Sequence, residues 1–95
     1  TFAYSYSSEP PKTVVASSNV VIRFCGSRFG QPLTPETDNG RRLMAWNAHA
    51  SSLALWSYWR THKGTLDPCV MPRAQIANDL RFAFERGVTS SFAED

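Results

Sequence analysis

The sequence predicts an α/β fold of parallel strands joined by crossover helices, either a small open sheet or part of a (β/α)8 barrel. Three observations predict it. Short β-rich runs alternate with stretches of helical period in the order strand, strand, helix, strand, helix, strand. The helical stretches span about 14 to 16 residues, enough to return the chain for a right-handed parallel crossover. Three of the strands run into clusters of aromatic and polar residues: Tyr4-Ser5-Tyr6, Arg23-Phe24-Cys25 and Trp56-Ser57-Tyr58-Trp59. Parallel α/β folds gather binding and catalytic groups where strands end. A complete barrel needs about 250 residues. The 95 residues, which open inside a strand pattern and stop after Glu94-Asp95, are therefore expected to form a single partial segment of a larger domain.

The first strand is predicted over Phe2 to Ser7, where aromatic and small residues alternate with period two. Glu9-Pro10-Pro11 ends it, because proline cannot donate to a ladder. After an extended connector, Val20-Val21-Ile22-Arg23-Phe24 is β-branched and nearly continuous, as in a strand covered on both faces. Gly26 to Pro35 reads as a loop. From about Glu36 to Ser51 the period changes: Leu43, Trp46 and Ala50 recur at helical spacing, with Thr37, Asp38 or Asn39 as candidate N-cap. Gly40 is expected to weaken that helix by up to about 1 kcal/mol relative to Ala. Leu53 to Trp59 is the third strand and Thr61 to Pro72 a long loop. Arg73 to Arg86 is the second helix, with Ile76, Leu80, Ala83 and Phe84 on one face and Gly87 as its left-handed cap. Val88 starts the fourth strand.

Composition narrows the function classes. A hydrophobic share of 42% with three tryptophans gives ample core material, against a disordered chain. The net charge of +2 is mild and the basic residues are scattered, so no nucleic-acid stripe is present. No apolar run approaches the roughly 18 to 20 residues of a membrane span. Cys25 and Cys69 are too few for a four-ligand zinc site, and His49 and His62 match no metal motif. The two thiols are expected free, with a disulfide the alternative for an exported, periplasmic or extracellular, protein.

Strand alternation puts Val20, Ile22 and Phe24 on one face and Val21, Arg23 and Cys25 on the other. With the apolar set under helices, Arg23 faces the opposite side, where a charge is either paired with a carboxylate or turned toward an anionic sugar. Leu53 and Leu55 suit the helix side, which assigns Trp56 and Tyr58 to the other. Aromatic faces stack on sugar rings while phenol and indole hydrogens reach hydroxyls. Core packing is the competing role of each ring; clustering at three strand ends favours a cleft. Of eight acids, Asp79 and Glu85 fall on a helix flank, and only Glu94 and Asp95 finish a strand. Glycoside hydrolysis uses two carboxylates, so Glu94 would need a partner. No G-x-S-x-G elbow and no phosphate-cradling glycine loop occurs.

Taken in order, Tyr4 with Pro10-Pro11, Asn19-Val-Val-Ile-Arg-Phe-Cys25, Leu43-x-x-Trp46, Leu55-Trp-Ser-Tyr58, and Gly87-Val88 with Phe92 resemble the family known as domain of unknown function 4838. Those bacterial proteins look like α-glucuronidase- or hexosaminidase-type glycoside hydrolases built on a (β/α)8 barrel. The resemblance spans nearly the whole chain as a series of short motifs. It implies the C-terminal half of the barrel, strands five to eight. Ser57 stands where the family tends to show Asp, Ser90-Ser91 where glycine is commoner, and Ala93 where an acid can occur. The expectation is a segment of a carbohydrate-active barrel acting on acidic polysaccharide, inactive by itself. In it Glu94 is catalytic and Tyr4, Tyr6, Arg23, Trp56 and Tyr58 contact the sugar. Its expected partners are carbohydrate and the rest of the barrel, with no cofactor, metal, nucleic acid or membrane span. A non-catalytic carbohydrate-binding or interaction module is the alternative.

Overall fold

The computed structural model describes residues 1–61 and 69–94. The chain builds β1 (Phe2–Ala3), a 3-10 turn (Ser5–Ser7), β2 (Ile22–Arg28), α1 (Asp38–Asn47), β3 (Leu53–Tyr58), β4 (Arg60–Thr61), β5 (Cys69–Val70), α2 (Arg73–Glu85) and β6 (Val88–Glu94). β1, β2, β3 and β6 form one sheet in that order, every pairing parallel. β4 and β5 make a small antiparallel ladder of their own. The α/β class, the parallel sheet and the two helices are as the sequence predicts. No helix among the described residues is long and apolar enough to cross a membrane.

Both helices cover the same face of the sheet. Ile22, Phe24, Leu53 and Leu55 form one core with Leu43 and Trp46 of α1, Phe82 and Ala83 of α2, and Leu33 from the intervening loop. That is the alternation expected of β2 and β3, and the stripe expected of α1. Trp46 keeps its polar edge satisfied: Nε1 donates to the Ser8 carbonyl at 2.8 Å. On the opposite face Phe2, Val21 and Phe92 are 46%, 44% and 55% exposed.

The helix ends follow local chemistry. Thr37 caps α1, its hydroxyl accepting from the Gly40 N–H at 3.3 Å. Gly87 follows α2 at φ +91°, the predicted left-handed cap. The expectation for Gly40 reverses. It is buried against the preceding turn, and a Cβ there would lie 1.7 Å from the Thr34 carbonyl oxygen. Glycine permits that close approach.

β1 is shorter than predicted, and Ser7 explains why. Its Oγ accepts from the Tyr4 N–H at 3.1 Å and donates to the Tyr4 carbonyl at 2.8 Å. These local bonds offer the backbone an alternative to the ladder. Ser5, at φ +54°, closes the turn. β2 is longer than predicted, running through Gly26 to Arg28 rather than yielding to a loop. Its register against β3 shifts between Phe24 and Ser27, a bulge in which β2 spends one more residue than its partner.

Asp79 corrects the reading of α2. Expected only on a helix flank, with no role in the core, it is 1% exposed. It accepts from Ser27 Oγ at 2.7 Å, the Leu33 N–H at 2.9 Å and Asn78 Nδ2 at 3.0 Å. A carboxylate with that many donors is a tie between α2, the end of β2 and the loop after it. Of the predicted Thr61–Pro72 loop, residues 62–68 lie outside the described residues, as does Asp95.

Candidate functional site

The bulge sets the composition of the uncovered face. Before it, Ile22 and Phe24 point under the helices and Arg23 points away. After it the parity switches: Ser27 meets Asp79 beneath α2, and Arg28 emerges on the open side. Strict alternation would have done the reverse. Gly26 makes the kink possible, since a Cβ there would lie 2.1 Å from the Phe24 ring. A second register shift, between Leu53 and Ala54, lets β6 bring Phe92 beside Trp56 and Glu94 beside Tyr58.

The open face therefore carries rows of aromatic and charged groups. Phe2 meets Trp56 edge-on at 5.4 Å between ring centroids, and Trp56 leans on Phe92 at 4.3 Å. The Arg23 guanidinium lies 5.6 Å from the centre of the Phe2 ring. Next to Trp56 is a hollow of about 350 Å³, lined by Arg23, Ala54, Trp56, Ser90 and Phe92 among others. Toward the C-terminal ends of the strands, Arg28 sits between two tyrosines, 5.6 Å from the Tyr4 ring centre and 5.5 Å from that of Tyr58. Two buried side-chain donors lack a partner among the described residues, Trp56 Nε1 and Arg28 Nε. Both belong to this face.

Electrostatics at that end follow from the same packing. Burial pushes the Tyr58 phenol above its ordinary value, nearby Cys25, Tyr4 and Glu94 push it the same way, and Arg28 opposes them. Burial likewise raises the Cys25 thiol, again opposed by Arg28. Tyr58 is thus a neutral hydrogen-bonding group near neutral pH, and Cys25 a thiol rather than a nucleophilic thiolate. Cys25 is a buried free cysteine; the Cys69 side chain lies outside the description. Among the described residues, no three His, Cys, Asp or Glu side chains gather as a metal site would require.

A family model described as "Domain of unknown function (DUF4838)" matches residues 1–95. The chain belongs to this family. No curated protein and no solved structure matches it.

In this DUF4838 chain four of the six predicted site residues, Tyr4, Arg23, Trp56 and Tyr58, lie on the open face with the contacts given above. Glu94 is paired in register with Tyr58 at the strand end. Tyr6 is set apart: the 3-10 turn carries it away, 97% exposed and in no aromatic contact among the described residues. Among those residues no carboxylate pairs with Arg23. Ser57 is 3% exposed on the helix-covered side. An aspartate at this position would enter the core and not the open face. Ala93, its register partner, is on the same side.

Arg28 is the residue sequence reasoning missed. The loop expected from Gly26 leaves it outside the strand, and alternation extended past Gly26 would bury residue 28. The available signal was Cys25-Gly26-Ser27: a glycine and two small residues within an apolar strand mark a bulge.

Proposed function

We propose that the uncovered face of this sheet binds carbohydrate, as a segment of a glycoside-hydrolase-like barrel domain that handles acidic polysaccharide. The observation that carries this reading is the continuous aromatic surface Phe2–Trp56–Phe92, with Tyr4 and Tyr58 beyond it toward the strand C-termini. Rings supply stacking faces, and the unpartnered Trp56 Nε1 and neutral Tyr58 hydroxyl supply hydrogen bonds to sugar hydroxyls. The barrel setting is supported by the sequential parallel order with helices on one face, the pattern each stretch of a (β/α)8 barrel repeats. In such a barrel the open face would line the interior and its C-terminal edge the active mouth.

Hydrolysis by the two-carboxylate route would use Glu94 with an acid from outside the described residues. Within them, Glu9, Asp38 and Glu85 are spent in surface ion pairs with Arg42, Arg41 and Arg86, Asp79 is committed beneath α2, and Glu36 stands exposed in the turn ahead of α1. That inventory favours binding as the contribution of this segment. The test is titration of the protein with neutral and uronic-acid oligosaccharides. Trp56→Ala and Tyr58→Ala should each weaken binding by about fivefold or more with the fold retained. Phe84→Ala, at an exposed position on α2, serves as the control. Unchanged affinity in both cleft variants, or no binding to any oligosaccharide, would overturn the reading.

A further inference from the structure

We propose that Arg28 is an oxyanion-binding site, held by Tyr4 and Tyr58, which receives the acidic group of a saccharide. The inference rests on the carbohydrate reading of the open face and assigns its charge specificity to one residue.

Four features converge on Arg28. Its side chain makes no hydrogen bond and no ion pair among the described residues, and its Nε is buried without a partner. A sealed donor on a permanent cation is costly unless something completes it. The guanidinium is flanked by rings at 5.6 and 5.5 Å, which orient its plane and favour the cation without consuming its N–H groups. Its backbone is fixed, the carbonyl accepting from Gln75 Nε2 at 2.6 Å and from the Gln31 N–H at 3.1 Å. The nearest strand-end acid does not neutralise it. Arg28, Tyr58 and Glu94 occupy one register row across β2, β3 and β6. Two strand spacings put Arg28 and Glu94 about 10 Å apart, with Tyr58 between.

That row has a directional chemistry. A planar guanidinium takes a carboxylate in a two-pronged contact that a lysine cannot reproduce. A sugar ring lying over Tyr58 would direct its oxyanion to Arg28 and its opposite edge toward Glu94. Arg23, the arginine expected for this role, lies over Phe2, farther from the strand C-termini. The shared chemistry is an oxyanion on a saccharide, either a uronic-acid carboxylate or a sulfate ester.

The experiment compares the affinity of the full chain for neutral, uronic-acid and sulfated oligosaccharides of equal length, in wild type, Arg28→Gln and Arg28→Lys. Wild type should prefer an acidic ligand by about tenfold or more. The relative affinity of the two acidic ligands identifies the oxyanion. Arg28→Gln should bring acidic affinity down to the neutral level and leave neutral affinity unchanged, with Arg28→Lys recovering only part. Equal wild-type affinity for acidic and neutral ligands, or an acidic preference that survives Arg28→Gln, overturns the site while sparing the carbohydrate reading. So does equal loss of both in a folded Arg28→Gln protein, which would make Arg28 a support for the rings. If no oligosaccharide binds, or Arg28→Gln fails to fold, NMR of the wild-type Arg28 Nε–H during titration with the monosaccharide glucuronate decides. A saturable shift supports an anion site; its absence overturns it.

Discussion

Ser27 and Asp79, 52 positions apart in the chain, share a 2.7 Å hydrogen bond in the interior, beneath α2 and at the end of β2. The carboxylate also takes the Leu33 N–H and the Asn78 amide. Asp79→Ala would orphan the Ser27 hydroxyl and the Leu33 amide together, each at about 1 to 3 kcal/mol. Urea unfolding should show a loss of about 3 kcal/mol or more. A loss below about 1 kcal/mol would mean that water replaces the carboxylate.

The two glycines buried among the described residues should differ in how they fail. At Gly40 the obstacle is the Thr34 backbone carbonyl, which cannot move without displacing the start of α1. At Gly26 it is the Phe24 ring, itself 1% exposed and so without room to turn. Gly26→Ala should cost about 1 to 3 kcal/mol, and Gly40→Ala more, despite alanine's better helix propensity. Thermal melts of the two variants check the order. A stabilised Gly40→Ala would return that position to ordinary helix energetics.

Gln75 grips the turn after β2, donating to the Arg28 carbonyl and accepting from the Gly30 N–H at 3.1 Å. Gln75→Ala should cost only about 1 kcal/mol of stability, since these groups lie near solvent. It should nevertheless weaken acidic-saccharide binding more than neutral, by loosening the backbone that carries Arg28. Parallel calorimetry and denaturation separate the two effects.

Alkaline stability follows from Cys25 and Tyr58. Both are raised above their ordinary values of 9.0 and 10.0, chiefly by burial. The folded state therefore holds these protons more tightly than the unfolded chain. The stability this gives is complete below those ordinary values and is lost as pH rises through the higher folded ones. Denaturation midpoints measured upward from pH 8 should fall first on account of Cys25, then of Tyr58. The double variant Cys25→Ser, Tyr58→Phe should show a shallower decline; an identical slope would assign the alkaline loss to other groups.

Much of this architecture was legible in the chain. The period change at Glu36–Ser51 located α1, Gly87 marked the end of α2, and Leu53 and Leu55 against Trp56 and Tyr58 sorted the faces of β3. These signals are local, set by backbone preference and by the alternation of a regular strand. What escaped depends on departures from regularity. Ser7 turned β1 aside through side-chain bonds that composition does not announce. One extra residue at Gly26 exchanged the faces of Ser27 and Arg28, and with them the identity of the arginine at the strand end. Asp79 reads only as a helix-flank residue because its partners, Ser27 and Leu33, are brought to it only by the folded sheet.

The sequential parallel order of the sheet also has a kinetic consequence. No two of its neighbouring strands can meet through a tight hairpin. Phe2 must find Arg23, Ile22 must find Leu53, and Leu53 must find Val88, closing loops of about 20 to 35 residues whose entropy is lost before the contacts reward it. β3, paired on both edges, belongs to two of these closures. Truncations at Leu53 or Leu55 should therefore slow folding, whereas truncations at the rim, such as Phe92→Ala, should chiefly hasten unfolding.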